Sequence, residues 1–323
     1  MVDATQRRRI SLVVPFYNEE QGIAGFEAGL RPALAALPDC DFEIVCVDDG
    51  STDGTLEKLE AVAARDPRYV VIGLSRNFGK EAALTAGIDY AAGDAVIPMD
   101  ADLQDPPELI AELIAQWRDG AEVVLARRVD RSADTFLKRS ISGMFYRIYN
   151  RLSDIELPEN VGDFRLMDRV AVDALKQLPE RQRFMKGLFA WVGFKTRSIE
   201  YRRPPRASGQ TKFTGLRLWN FALDGITSFS TLPLRVWTYL GALGALVSFS
   251  YGAFILLRTL IRGVDVPGYA SLLAATLFVG SLQLLSIGIL GEYIGRIYLE
   301  TKRRPAYIVR STHRRTDHEP RNH

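Results

Sequence analysis

The sequence predicts an α/β domain built on a parallel sheet, followed by two long apolar helices. Three observations carry this. Up to about Leu232, short apolar runs alternate with stretches rich in Ala, Leu and Glu, and strands alternating with helices argue for parallel pairing through crossovers. Val236–Leu257 and Tyr269–Gly291 are uncharged, and each has the roughly 20 residues needed to cross a hydrocarbon core. The chain of 323 residues, 47% hydrophobic and 25% charged, is long enough for one large core and a smaller unit. The predicted division is residues 1–211 for the α/β domain, 212–234 for a juxtamembrane segment, 235–298 for the two spans and 299–323 for a basic tail.

Taken in order, Ile10–Pro15, Phe42–Val47, Tyr69–Leu74 and Ala95–Met99 read as strands, and Asp53–Arg65 and Lys80–Ala92 as helices. Several strand-like runs end in polar or acidic residues: Asn18-Glu19-Glu20, Asp48-Asp49 and Asp100-Ala101-Asp102. Ligands of open α/β sheets bind at the carboxyl ends of strands, so these acids should converge on one rim. Asp48, Asp49, Gly50 and Asp53 also fit a plain turn that caps the next helix. Lys212–Leu234 mixes Phe, Leu and Trp219 with Lys212, Arg217 and Asp224. That pattern fits helices lying at a membrane surface, and a core-packing helix equally well.

The segment between the two spans is short, and two spans return the chain to its starting side. The basic tail and Arg296 assign that side to the cytoplasm, although Arg258 and Arg262 in the connecting segment pull the other way. From Lys302 to Arg321 there are seven Lys or Arg against Asp317 and Glu319, a composition suited to a solvated end or an anionic membrane surface. The opening MVDATQRRR lacks the apolar stretch of a signal peptide.

Composition also excludes. A net charge of +2 is too small to argue for a nucleic-acid partner. Cys40 and Cys46 are too few for a disulfide framework and wrongly spaced for zinc, and read as core thiols. All three histidines, His313, His318 and His323, lie in the tail, so acid–base or metal chemistry in the body must rest on carboxylates. No two glycines stand two apart, and Gly79-Lys80 is preceded by Leu74 where a phosphate loop needs glycine, so both nucleotide fingerprints are missing. Asp100 and Asp102, one residue apart after an apolar strand, can instead turn toward one hard cation, with Gln104 as a third oxygen donor. Mg2+ or Mn2+ suits such a site, because both take oxygen ligands and leave positions for diphosphate oxygens.

Four segments, VVPFYNEE (Val13 to Glu20), VDDGSTDGT (Val47 to Thr55), SRNFGKEAAL (Ser75 to Leu84) and DADLQDPPE (Asp100 to Glu108), resemble family 2 glycosyltransferases in order and spacing. GDFRLMDR from Gly162, ERQRFMKGLFAWVGF from Glu180 and RASGQTKF from Arg206 resemble the polyprenyl-phosphate branch. The two spans and GEYIGRIYLETKRRP from Gly291 resemble its bactoprenol group. The resemblance implies a Rossmann-like glycosyltransferase A-type domain on a two-helix transmembrane anchor. Pro15, Tyr17 and Glu19 match positions that hold the nucleoside, and Asp48 or Asp49 the base or ribose. Asp100, Asp102 and Gln104 match the metal and diphosphate site, and Arg206 and Lys212 a basic loop that closes over the diphosphate. Arg127, Lys138 and Ser142 fall where the acceptor phosphate is expected. Asp163 matches the proposed catalytic base and, with Asp102, makes the expected catalytic pair. Arg127, beside Arg128 and Arg131, also fits a solvated basic stretch.

The implied reaction is inverting, metal-dependent transfer of a sugar, glucose from UDP-glucose, to undecaprenyl phosphate at the cytoplasmic face of a bacterial inner membrane. UDP-GlcNAc, GDP-mannose and UDP-aminoarabinose are alternative donors. A phosphate monoester with a second pKa of about 6 is mostly dianionic at pH 7, so Asp163 either abstracts a proton or only orients groups. The QxxRW motif of processive synthases is unmatched, Gln182 being followed by Arg183 and Phe184 without the tryptophan. A non-catalytic binder of nucleotide-sugar or lipid phosphate is the rival from another class. The expected partners are the donor, the lipid phosphate and the bilayer. Gly291 and Gly295 permit close helix packing and leave a homo-oligomer open.

Overall fold

The computed structural model describes residues 7–129, 160–180, 183, 185–201, 232–262 and 268–314. The first half of the chain alternates as its pattern predicts. Strands β1 (Arg8–Phe16), β2 (Cys40–Asp48), β3 (Tyr69–Leu74) and β4 (Ala95–Pro98) are interleaved with helices α1 (Ile23–Ala35), α2 (Thr55–Arg65) and α3 (Lys80–Tyr90), and α4 (Leu109–Arg118) follows β4. Then come β5 (Val123–Arg128), β6 (Val161–Asp168), α5 (Arg169–Lys176), α6 (Met185–Trp191) and β7 (Thr196–Tyr201). Two long helices, α7 (Leu232–Arg262) and α8 (Tyr269–Thr301), precede a last strand, β8 (Val309–Arg314).

The eight strands form one sheet in the order β7-β5-β6-β4-β1-β2-β3-β8. The first four pair in parallel, as expected. The sheet as a whole is mixed, which corrects the expectation of a parallel one: β6 runs antiparallel to both β4 and β5, and β8 antiparallel to β3. Side chains of a strand alternate between faces, and here both faces are covered, so the central strands read as unbroken apolar runs. Leu12, Val14, Ile44 and Cys46 pack with residues of α1, α2 and α4. Their neighbours Val13, Val45 and Val47 pack with residues of α3, α5 and α6. Cys40 and Cys46 are buried free thiols, as expected.

The basic tail is not simply a solvated end. Residues 309–314 form β8 and pair with β3, the tail's His313 bonds Glu60 at 2.8 Å, and the preceding Tyr307 hydroxyl donates to Asp89 at 2.8 Å. An edge strand presents unpaired N–H and C=O groups, and the tail satisfies those of β3. At the amino end of the sheet, buried Glu43 accepts from Arg9 (2.7 Å), Ser11 Oγ (2.6 Å) and Ala92 N (2.9 Å), with Arg314 of β8 at 3.6 Å.

Helices α7 and α8 carry exposed Leu243, Leu246, Phe249, Leu284, Ile287 and Leu290. Among the described residues one helical stretch, Phe278–Thr301, is long and apolar enough to cross a membrane, with mean hydropathy 1.3. The expected span at 236–257 is matched by a helix, but its apolar part, Tyr239–Phe254, is shorter. The juxtamembrane segment lies outside the described residues except for its last three.

Replacing Glu43 with Ala would leave the buried Ser11 hydroxyl, the Ala92 N–H and the half-exposed Arg9 guanidinium without their acceptor, costing about 1–3 kcal/mol. Thermal unfolding of the detergent-solubilised chain should shift down by about 2–5 °C. An unchanged midpoint would contradict the role given to Glu43.

Candidate active site

Parallel strands share one carboxyl end, and there the expected residues meet. Pro15, Tyr17, Glu19, Asp49, Asp100 and Asp102 line one cavity of about 300 Å3, closed on one side by Asn77, Gly79 and Lys80. The loops after β1 and β2 are tied together. Asn18, at φ 52°, accepts from Thr52 N at 2.9 Å, and its own N–H donates to Ser51 Oγ at 3.0 Å. Glu19 N donates to Thr55 Oγ1 at 3.0 Å.

The loop after β2 in turn holds the one before α3. Gly50 sits at φ +65°, and a Cβ there would lie 2.3 Å from the Arg76 carbonyl carbon, so only glycine permits this approach. The Asp49 carboxylate accepts from Phe78 N at 2.7 Å and Gly79 N at 2.9 Å. Burial raises its pKa, and the two N–H groups oppose that rise. Asp48 lies beneath the cavity, buried, with one oxygen accepting from Ser51 N at 3.2 Å and the other without a protein partner. Of the two acids expected to hold base or ribose, only Asp49 reaches the cavity, and it is already engaged with a loop.

The acidic loop after β4 carries backbone strain. Leu103 adopts φ +51°, a left-handed conformation unfavourable for a branched residue. Its side chain packs so tightly on Gly29 of α1 that a Cβ on Gly29 would come within 2.5 Å. That packing aims Asp100 and Asp102 into the cavity. Gln104 is buried, its N–H bonding Asp102 Oδ1 at 3.1 Å and its side-chain nitrogen unpartnered, and it is not part of the cavity wall. No three acidic, histidine or cysteine side chains among the described residues form a ready metal cage. Of the three expected metal ligands, Asp100 and Asp102 stand on the cavity wall.

Asp163, on β6, is brought to the same place by Lys80. The Lys80 ammonium lies 2.6 Å from Asp100 Oδ1 and 2.7 Å from Asp163 Oδ2. For Lys80, burial opposes the charge, but Asp163 and Asp100 outweigh it and the pKa rises. For Asp163, burial also opposes the charge, but Lys80, Lys186 and Arg165 hold its carboxyl at about 2. Asp100 goes the other way: burial raises its pKa and Lys80 offsets this only in part. Behind them, burial and the charge of Asp163 push Glu81 up to about 7, against a hydrogen bond from Met185 N at 3.2 Å. Sequence reading passed over Lys80, seeing in Gly79-Lys80 only a failed phosphate loop. Its place in SRNFGKEAAL, at the start of a helix facing an acidic loop, was the available signal.

Of the residues expected at the acceptor phosphate, Arg127 is exposed at the end of β5. Its neighbour Arg128 is the more embedded, donating to the Tyr201 hydroxyl at 3.0 Å and lying 3.6 Å from buried Asp105. The Tyr201 hydroxyl donates in turn to Asp105. Lys138, Ser142, Arg206 and Lys212 lie outside the described residues.

A carboxylate-lined cavity at the carboxyl rim of an α/β sheet suits an enzyme that handles a phosphorylated donor. Residues 11–176 match glycosyl transferase family 2, and residues 232–297 match the GtrB C-terminal hairpin. The chain belongs to glycosyl transferase family 2 and is a glycosyltransferase. It is 53% identical over 306 residues to the SfII prophage-derived bactoprenol glucosyl transferase of Shigella flexneri, covering 95% of this chain and 99% of that protein. It is 53% identical over 302 residues to the prophage bactoprenol glucosyl transferase homolog of Escherichia coli, covering 94% and 98%. An uncharacterised glycosyltransferase of Synechocystis sp. is 54% identical over 300 residues, covering 93% and 94%. These relatives put the chain in the bactoprenol glucosyl transferase-like branch of the family.

Two predictions follow from the geometry. Below pH 4.5 Glu81 is neutral in both folded and unfolded chains. As pH rises from there to about 7, the unfolded chain loses its proton first and stability falls by about 1–3 kcal/mol. Glu81→Gln should therefore raise the unfolding temperature relative to the parent more at pH 8 than at pH 5, and an equal gap at both would refute this. Asp49→Ala frees the Phe78 and Gly79 N–H groups. It should lower kcat/KM for the donor by about tenfold or more through a misplaced loop, and steady-state kinetics showing the parental value would exclude that role.

Proposed function

We propose that this enzyme transfers one glucose from UDP-glucose to polyprenyl phosphate at the cytoplasmic face of a bacterial membrane. The observation that carries this reading is the cavity itself. Paired carboxylates, Asp100 and Asp102, stand beside the Lys80–Asp163 pair at the rim, in a chain 53% identical to a bactoprenol glucosyl transferase over almost its full length. Pro15, Tyr17 and Glu19 take the nucleoside, and Arg206 and Lys212 cover the diphosphate. Arg127, Lys138 and Ser142 grip the acceptor phosphate.

The residues fit a divalent cation. Asp100 and Asp102 are hard oxygen donors, and a cationic nitrogen already rests on Asp100 at 2.6 Å. Mg2+ or Mn2+ bound by these two carboxylates would stabilise the charge that develops on the departing diphosphate. An acceptor phosphate oxygen forms the new bond to the anomeric carbon as the bond to the nucleoside diphosphate breaks, which inverts the centre. No proton need move, because the acceptor is already mostly dianionic. Asp163, held at about 2, is a poor proton acceptor at neutral pH and serves to orient its neighbours.

Helices α7 and α8 form the proposed two-pass anchor. After α8 the chain re-enters the sheet as β8, with only residues 302–308 between them. That return supports an even number of crossings and a catalytic rim kept near the headgroups, where a lipid phosphate is presented.

The test is to incubate the purified full-length protein with undecaprenyl phosphate, Mn2+ and a panel of nucleotide-sugars, reading the lipid by mass spectrometry. A single hexose from UDP-glucose is expected, and Asp102→Ala should slow its formation by about 100-fold or more. Absence of any glycosylated lipid with every donor would overturn the reading, and product from another donor alone would overturn the glucose assignment.

A further inference from the structure

Lys80 occupies an unfavourable place for a cation. It is the first residue of α3, where the helix dipole and unpaired N–H groups repel positive charge. Its side chain remains 46% exposed, so an outward solvated position was open to it. It turns inward instead and bridges Asp100 Oδ1 and Asp163 Oδ2. Without it, Asp100 would lose the cation that touches it, and the nearby Asp163 would keep only the more distant charges of Lys186 and Arg165. The other Asp163 oxygen is buried without a protein hydrogen-bond partner, so that carboxylate has acceptor capacity to spare.

We propose that Lys80 is a built-in counter-ion of the cation site, resting on Asp100 when no divalent ion is bound and passing to Asp163 when one arrives. This rests on the reading of Asp100 and Asp102 as cation ligands. A divalent ion binds carboxylate oxygen at about 2.0–2.2 Å. An ammonium on the same carboxylate would then face two positive charges at short range. Asp163 gives the displaced ammonium somewhere to go. It is already a partner, it has an unused oxygen, and it belongs to β6, outside the metal-binding loop.

Two consequences follow. The free enzyme binds divalent ions weakly, because each ion must displace a charge already in place. The donor diphosphate brings the negative charge that offsets this cost, so metal and donor load together. In the loaded site Lys80 is a positioning residue, holding the Asp163 carboxylate beside the reacting groups.

The experiment titrates the full-length, nucleotide-free protein with Mn2+ alone, following free Mn2+ by electron paramagnetic resonance. The parent, Lys80→Met, Lys80→Gln, Lys80→Arg and Asp100→Asn are compared, with unfolding temperatures as a check on folding. Removing the ammonium should tighten Mn2+ binding on the order of tenfold in the Met and Gln variants, while the Arg variant stays as weak as the parent. A merely structural lysine would give no gain in affinity. Unchanged or weaker binding in both neutral variants, with Asp100→Asn still abolishing it, would overturn the proposal and leave the cation site standing. If Asp100→Asn binds Mn2+ like the parent, the cation-site reading fails and this inference with it. A structure with Mn2+ and nucleotide gives a check that needs no variant to fold: Lys80 should contact Asp163 and not Asp100, and an ammonium still on Asp100 would overturn the proposal.

Discussion

Crowding of like charge at one edge of a sheet is the constraint around which this molecule is organised. Asp48, Asp49, Asp100 and Asp102 come from the carboxyl ends of parallel strands or the loops beyond them, Asp163 comes from near the amino end of antiparallel β6 at the same edge, and several are largely buried. Buried carboxylates are costly unless they are paired or hydrogen-bonded. The protein meets that cost in different ways. Asp49 takes two backbone N–H groups, Asp163 and Asp100 share one ammonium, and Asp102 remains on the cavity wall beside them. The residual negative charge on the rim is the feature on which the proposed cation, and through it the proposed diphosphate, would act.

Rigidity below the rim makes this arrangement reproducible. The central strands are covered on both faces, and their alternating side chains feed two separate cores. Loops that would otherwise move are stitched to one another. Asn18 reaches the loop after β2, Asp49 reaches the loop before α3, and Leu103 is held in a left-handed conformation by its packing on Gly29. Strain of this kind persists only where the surroundings over-determine it, and here it sits next to the two carboxylates assigned to the reaction.

The last strand links the two parts of the molecule. By pairing with β3, β8 covers an edge that would otherwise be open and joins the end of α8 to the catalytic sheet. Arg314, near its end, approaches the Glu43 hub that also gathers β1 and the turn before β4. A helical hairpin attached in this way cannot drift far from the carboxyl rim of the sheet.

Local pattern determined a good deal by itself. Runs such as SLVVP and IVCV read as buried strands, their spacing points to helical crossovers, and the acids at their ends are expected on one rim. The two apolar stretches had to be helices. These features depend on neighbours in the chain, so the sequence displays them directly. Tertiary structure alone decided the reversed directions of β6 and β8, the burial of Asp48 and Gln104, the embedding of Arg128 in place of Arg127, and the ammonium between Asp100 and Asp163. Lys80 and Asp163 are 83 positions apart, and β8 meets β3 only after the hairpin intervenes. Such pairings are settled by which edge is left open and which charge is left uncompensated once everything else has packed, and no local pattern of residues records that.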